Sequence, residues 1–215
     1  MAILKMIYRF FIFFLLVIIL FETKSYSKES DSLSKKQRNI VGLLPSKFEV
    51  INGIAVGLVG SEVYCDYKIS KISNGLNLQI GQGLFLSPFL LYNMSYLYKK
   101  DKEYIDSIII SSETTYYKAK HNGLILSIFG SATDKINGMS LSGFFSIHKI
   151  FNGFSFSLLG LNHYKMNGVS ISIINKSIIT NGLQIGIYNN SLELKGIQLG
   201  LLNRNKKRTL PIINW

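Results

Sequence analysis

The sequence is poor in the residues on which cross-linking and catalysis depend. Its 215 residues hold one cysteine, Cys65, so no disulfide can close within the chain. With that single thiol and only three histidines, the usual Cys/His zinc clusters are excluded. Three prolines exclude a collagen-like or Pro-rich linker protein. Acidic side chains are scarce, 12 Asp+Glu against 24 Lys+Arg, which sets the formal net charge at +12. Yet only 17% of residues are charged and 47% are hydrophobic, too apolar a balance for an intrinsically disordered chain. There is no Gly-x-Ser-x-Gly elbow, phosphate loop or HExxH pattern. Gly81-Gln82-Gly83 opens like a dinucleotide fingerprint, but no helical pattern follows it.

The amino terminus reads as an export signal. Lys5 and Arg9 precede an apolar run at 10–21, and Ser25-Tyr26-Ser27 places small residues where a signal peptidase reads. Residues 7–21, with Arg9 inside, are short of the roughly 20 apolar residues needed to span a bilayer. Cleavage after Ser27 is therefore expected, an uncleaved anchor being the alternative. It would remove Lys5, Arg9, Lys24 and Glu22 and leave a strongly basic chain. A lone Cys65 suits an oxidising compartment and reads as a small side chain buried in a strand. Residues 28–48 read as a polar leader with a cap at 42–45, and 49–215 as a single repeat domain.

What is abundant is repetition. Asn-Gly recurs at Asn122, Asn137, Asn152, Asn167 and Asn181, and Lys195-Gly196 continues the series. Earlier copies stand at Asn52-Gly53 and Asn74-Gly75. The spacings from Asn122 onward are 15, 15, 15, 14 and 14 residues. After each glycine the chain alternates. Leu126, Leu141, Phe156, Ile171, Ile185 and Leu199 share one phase, while Ser140, Ser155, Ser157, Ser170, Gln184 and Gln198 fill the positions between apolar residues. Such alternation is a strand with one buried face, and the apolar set is expected to be the buried one. A second turn is expected in each unit, near 131–134, 162–163, 175–177, 189–191 and 203–205.

Two all-β architectures satisfy this pattern. One is a β-solenoid, or β-roll, of 14–15-residue coils stacked about 4.8 Å apart, with equivalent residues in columns. The alternative is an antiparallel meander or outer-membrane β-barrel, since Asn-Gly is also the strongest type I′ hairpin signal. Trp215 would suit the last strand of a barrel. Charged residues in the second half of each unit, Pro211 near the end, and the single phase of every Asn-Gly favour the solenoid. Residues 84–121 break the repeat as an irregular insertion: 84–98 is apolar and aromatic, 99–103 is charged, and Asp106-Ser107 reads as a worn copy of the repeat.

The run NGLQIGIYNNSLELKGIQLGLLNRNKKRTLPIINW at 181–215 resembles the carboxy-terminal part of a family of uncharacterised bacterial surface-repeat proteins, with G-[LIV]-Q-[IL]-G-L-x-N units and a closing L-P-x-x-N-W. Residues 122–180 match it in register and apolar spacing, with Ser where the family often has Gln and Gly. The 14-residue step is also similar to the β-roll heads of trimeric autotransporter adhesins, although their stalk and anchor are missing here. The resemblance implies an exported or surface protein and carries no catalytic residues.

Acid–base chemistry needs histidines or carboxylates brought together. Of His121, His148 and His163, the last two share a phase, so a solenoid stacks them on one face, where they are expected as a surface coincidence rather than a ligand pair. The expectation is thus a non-enzymatic periplasmic, outer-membrane-surface or extracellular protein of structural or interaction role. It has no catalytic, cofactor-binding or metal-binding residues and no cofactor. A basic cluster at Arg204-Lys206-Lys207-Arg208 points, if to any partner, to anionic cell-surface material or another envelope protein, and not to nucleic acid.

Overall fold

The structure is a computed structural model that describes residues 37–44, 46, 48–59, 71–81 and 119–215. The export segment at 1–27, Cys65 and 84–118 lie outside the described residues. Residues Lys35–Trp215 form one compact unit.

Ten strands make one sheet in sequence order: β1 (Gln37–Leu44), β2 (Val50–Gly57), β3 (Lys71–Gln79), β4 (Ala119–Ser127), β5 (Ala132–Ser142), β6 (Phe145–Ser157), β7 (Gly160–Ile171), β8 (Ile174–Ile185), β9 (Tyr188–Arg204) and β10 (Thr209–Asn214). Every pairing from β1 to β9 is parallel. The chain is a β-solenoid, and the barrel and meander readings fall with the parallel pairing. Phe156 lies beside Leu141 in one neighbouring coil and Ile171 in the other, as a 15-residue step requires.

Asn-Gly is not a hairpin here. Each pair stands in the middle of a strand, in register with the pair in the next coil. Gly153 has φ 134°, and a Cβ on it would overlap the carbonyl oxygen of Gly138 below. Only glycine combines that dihedral with so close a backbone approach. The preceding asparagines form a continuous amide ladder. Asn137 donates to Asn122 at 2.8 Å, Asn152 to Asn137 at 2.7 Å, Asn167 to Asn152 at 2.6 Å and Asn181 to Asn167 at 2.7 Å.

Four expectations need correction. The second break falls earlier, at bends around 128–129, 143–144, 158–159, 172–173 and 186–187. Asn175 and Asn189, expected in that turn, lie inside β8 and β9 and brace the bend from within: Asn175 donates to the Ser172 carbonyl at 3.3 Å and to Asn189 at 2.8 Å. Residues 37–44, placed in the polar leader, form the first parallel strand, with Ile40 at φ 87° where later coils have glycine. Gly75 pairs directly with Gly123, and the worn copy expected at Asp106-Ser107 lies outside the described residues.

The largest correction concerns the two faces. Ser140, Ser155, Ser157, Ser170, Gln184 and Gln198 are fully buried, whereas Leu126, Leu141, Phe156, Ile171, Ile185 and Leu199 are not. The polar column faces in and the apolar column faces out. Part of this polar column is satisfied by the same residue type in the next coil. Gln198 donates to Gln184 at 2.8 Å, and the Ser127 and Ser142 hydroxyls are 2.8 Å apart, whereas the Ser155 and Ser170 hydroxyls are buried without a hydrogen-bond partner. Apolar clusters fill other parts of the interior: Leu44, Ile51 and Ala55 in the first coils, and Ile125, Ile136, Phe151 and Met166 further on, three of which precede the Asn of their coils.

At the carboxy-terminal end, β10 turns back antiparallel on β9 with a register shift between Leu210 and Ile212, where Pro211 stands. A proline is accommodated on such an edge strand because it need not donate outward. Asn214 donates to Gln198 at 2.9 Å and closes the glutamine column. Arg208 lies 4.1 Å over the Trp215 ring and donates to the Trp215 carbonyl at 2.8 Å. The L-P-x-x-N-W ending is thus an end cap of the stack.

Candidate functional site

The outward alternation builds the most distinctive surface of the molecule. One column runs Ile54, Leu76, Leu124, Met139, Phe154, Val169, Leu183, Ile197. Two residues on stand Val56, Leu78 and the column from Leu126 to Leu199. Ile128, Leu158, Ile173, Ile187 and Leu201 follow at the bends, and Leu201 is 71% exposed. No charged residue occurs in these columns. Seven steps of about 4.8 Å and three alternate positions give a face about 34 Å by 18 Å, roughly 600 Å². A typical soluble monomer's largest apolar patch is about 300–600 Å².

Two open furrows cross this face, of about 670 Å³ and about 660 Å³. The first is lined by Leu78, Leu126, Leu141, Phe156 and Leu158 among others, the second by Ile171, Ile173, Ile185, Leu199 and Ile212. Both are almost wholly hydrocarbon in lining, and among the described residues no titratable side chain borders either.

Cations lie around the face rather than on it. Half-buried Lys120, Lys135 and Lys165 stand two residues before the ladder asparagine, in one column with buried Ile150 and half-buried Ile179 and Glu193. Exposed Arg204, Lys206 and Lys207 follow directly on Leu201 and Leu202 at the end of the face. Of the basic cluster, only Arg208 is engaged by the cap.

The histidines are elsewhere. His148 and His163 stack as their phase requires, with ring centroids 5.2 Å apart, but inside the coil and not on the surface. Phe151 packs on both, its ring 5.1 Å from His163 and 5.5 Å from His148. Burial pushes His163 down to about 3, and His148 is held well below the usual histidine range by burial first and then by His163 and His121. Burial also lowers His121 to about 4, against a backbone hydrogen bond at Leu124 that raises it. Ser131 lies 3.0 Å from His148 Nε2 and Ser73 lies 2.7 Å from His121 Nδ1. Neutral, enclosed imidazoles of this kind fill space and have no route to a substrate. Among the described residues, no group of three His, Cys, Asp or Glu is placed to hold a metal ion. Gly81 has φ 94° and stands at the end of a coil, while Gln82 and Gly83 lie outside the described residues.

Reading the sequence alone missed the apolar face as a site. The available signal was the matching of polar residue types at one phase, Gln184 with Gln198 and Ser140 with Ser155 and Ser170. No family model, curated protein or solved structure matches the chain.

Proposed function

We propose that the chain is an exported, non-enzymatic repeat protein of the bacterial cell envelope, with a structural or interaction role. The observation that carries this reading is the unbroken apolar outer face on a rigid solenoid, a surface suited to holding something broad rather than to turning over a small molecule. The export pattern at 1–27 and the resemblance of 181–215 to surface-repeat proteins support the same reading. Mass spectrometry of the protein from fractionated cells tests it. The expected result is a new amino terminus near Ser27, in an envelope fraction. Retention of Met1 in a cytosolic protein would refute export.

A further inference from the structure

We infer that the apolar outer face is a docking surface for an anionic lipid bilayer, on which the solenoid lies with its coils in contact with the acyl region. The inference deepens the envelope reading above and rests on it for its setting. Three observations single out lipid as the occupant.

First, the polarity of the coil is inverted. Beside its apolar cluster the interior holds Ser, Gln, Asn and His columns, some of them bonded from coil to coil as at Gln184 and Gln198, while the exterior of the same strands is Leu, Ile, Val, Met and Phe. That distribution suits an apolar medium outside.

Second, the backbone of the face is already paired. Parallel strands bond each coil to the next, and the bends do likewise: Ile173 N donates to Leu158 O at 3.3 Å and Ile187 N to Ile173 O at 3.0 Å. Hydrocarbon offers no hydrogen bonds, so only a face without open backbone groups can enter it.

Third, charge selects the partner. The chain carries +12, and among the described residues no charged one stands in the columns of the face, while exposed Arg204, Lys206 and Lys207 lie beside it. Two copies meeting face to face would bring like charges together, whereas an anionic leaflet attracts them.

The test is flotation of the purified full chain with phosphatidylcholine vesicles, with and without phosphatidylglycerol. Two variants accompany it. One replaces the middle of the face (Leu141→Gln, Ile171→Gln, Ile185→Gln), and one reverses the rim (Arg204→Glu, Lys206→Glu, Lys207→Glu). An unchanged far-UV spectrum and urea midpoint establish that each is folded. The expected result is flotation that requires phosphatidylglycerol, is lost in the face variant, and weakens on the order of 100-fold in the rim variant. Because residues 1–27 are themselves apolar, equal flotation of the wild type and the face variant would overturn the inference. A wild type that is dimeric by light scattering, monomeric as the face variant and silent on vesicles would assign the face to a second copy instead. Export and vesicle binding are read separately, so an exported protein that ignores vesicles sinks this inference alone.

Discussion

Asn181 lies directly beneath Lys195, and there the amide ladder ends. Asn181 donates to Asn167, but its own side-chain oxygen is buried and accepts no hydrogen bond, because the next rung carries an ammonium on a long stem instead of an amide. Lys195→Asn would add the missing donor in register. The expected gain is about 0.5–1.5 kcal/mol, the net worth of one hydrogen bond. Asn152→Ala should do the opposite, since it removes the bonds to both Asn137 and Asn167, at about 1–2 kcal/mol. Urea midpoints of the two variants check both signs. A loss for Lys195→Asn would show that the ladder is not additive.

The glycine beside each asparagine admits a sharper test, because two positions predict opposite signs. Gly153→Ala puts a methyl against the Gly138 carbonyl oxygen at φ 134°, and neither backbone can yield without parting the coils. A loss of about 3 kcal/mol or more is expected. Ile40 occupies the equivalent place in the first coil, β-branched at φ 87° and 77% exposed, so it bears strain without packing in return. Ile40→Gly should stabilise the amino-terminal coil by about 1 kcal/mol. Amide exchange in β1 and β2 would report it as slower opening, and faster exchange would contradict it.

The inverted faces change which substitutions matter. Leu141 was the kind of residue expected in the core, with a cost of about 2–5 kcal/mol on truncation. It stands half-buried on the outer face, so Leu141→Ser should cost about 1 kcal/mol or less. Ser155 and Ser170 are fully buried between neighbouring coils, and Ser155→Leu should overpack the interior at about 1–3 kcal/mol. Chemical denaturation of the pair decides it. A larger loss for Leu141→Ser would restore the apolar column to the core.

That inversion marks the limit of what the sequence makes legible. The 14–15-residue step, the single phase of Asn-Gly and the alternation after it sufficed for a parallel solenoid, because stacked coils must match in length and corner chemistry. Alternation separates two faces but does not say which is buried. Burying Leu is favourable for any chain, whereas burying Ser or Gln is tolerable only where each finds a partner. The partner of Gln184 is Gln198, 14 residues away, so the decision depends on stacking rather than on local pattern. The position of the bends was misjudged for a related reason. Asn175 and Asn189 look like turn residues, but their amides reach from inside a strand to the bend's carbonyls.

The buried imidazoles make stability depend on pH in a definite direction. His121, His148 and His163 are all held below the ordinary histidine pKa of 6.5, with burial the largest cause for each. Above pH 6.5 the histidines are neutral in both the folded and the unfolded chain, and they contribute no pH dependence. Below it the unfolded chain binds protons that the folded chain excludes, so stability falls as pH falls. Each histidine costs about 1.4 kcal/mol per pH unit once the pH is well below 6.5. His121 stops contributing near pH 4, where its folded form takes up the proton, and His163 near pH 3. Against a typical net stability of about 5–15 kcal/mol, three such slopes together are enough to unfold the stack between about pH 5 and 4. The ion pair of Lys149 with Asp134, at 2.7 Å, has a half-exposed lysine and adds little to this. His163→Phe keeps a ring against both His148 and Phe151 and removes one proton site. Its urea midpoint should fall with pH by about one third less than the wild type's between pH 6 and 4.5. A midpoint that is flat over that range in the wild type, or equally steep in the variant, would mean that the histidines reach solvent and are not sealed in the coil.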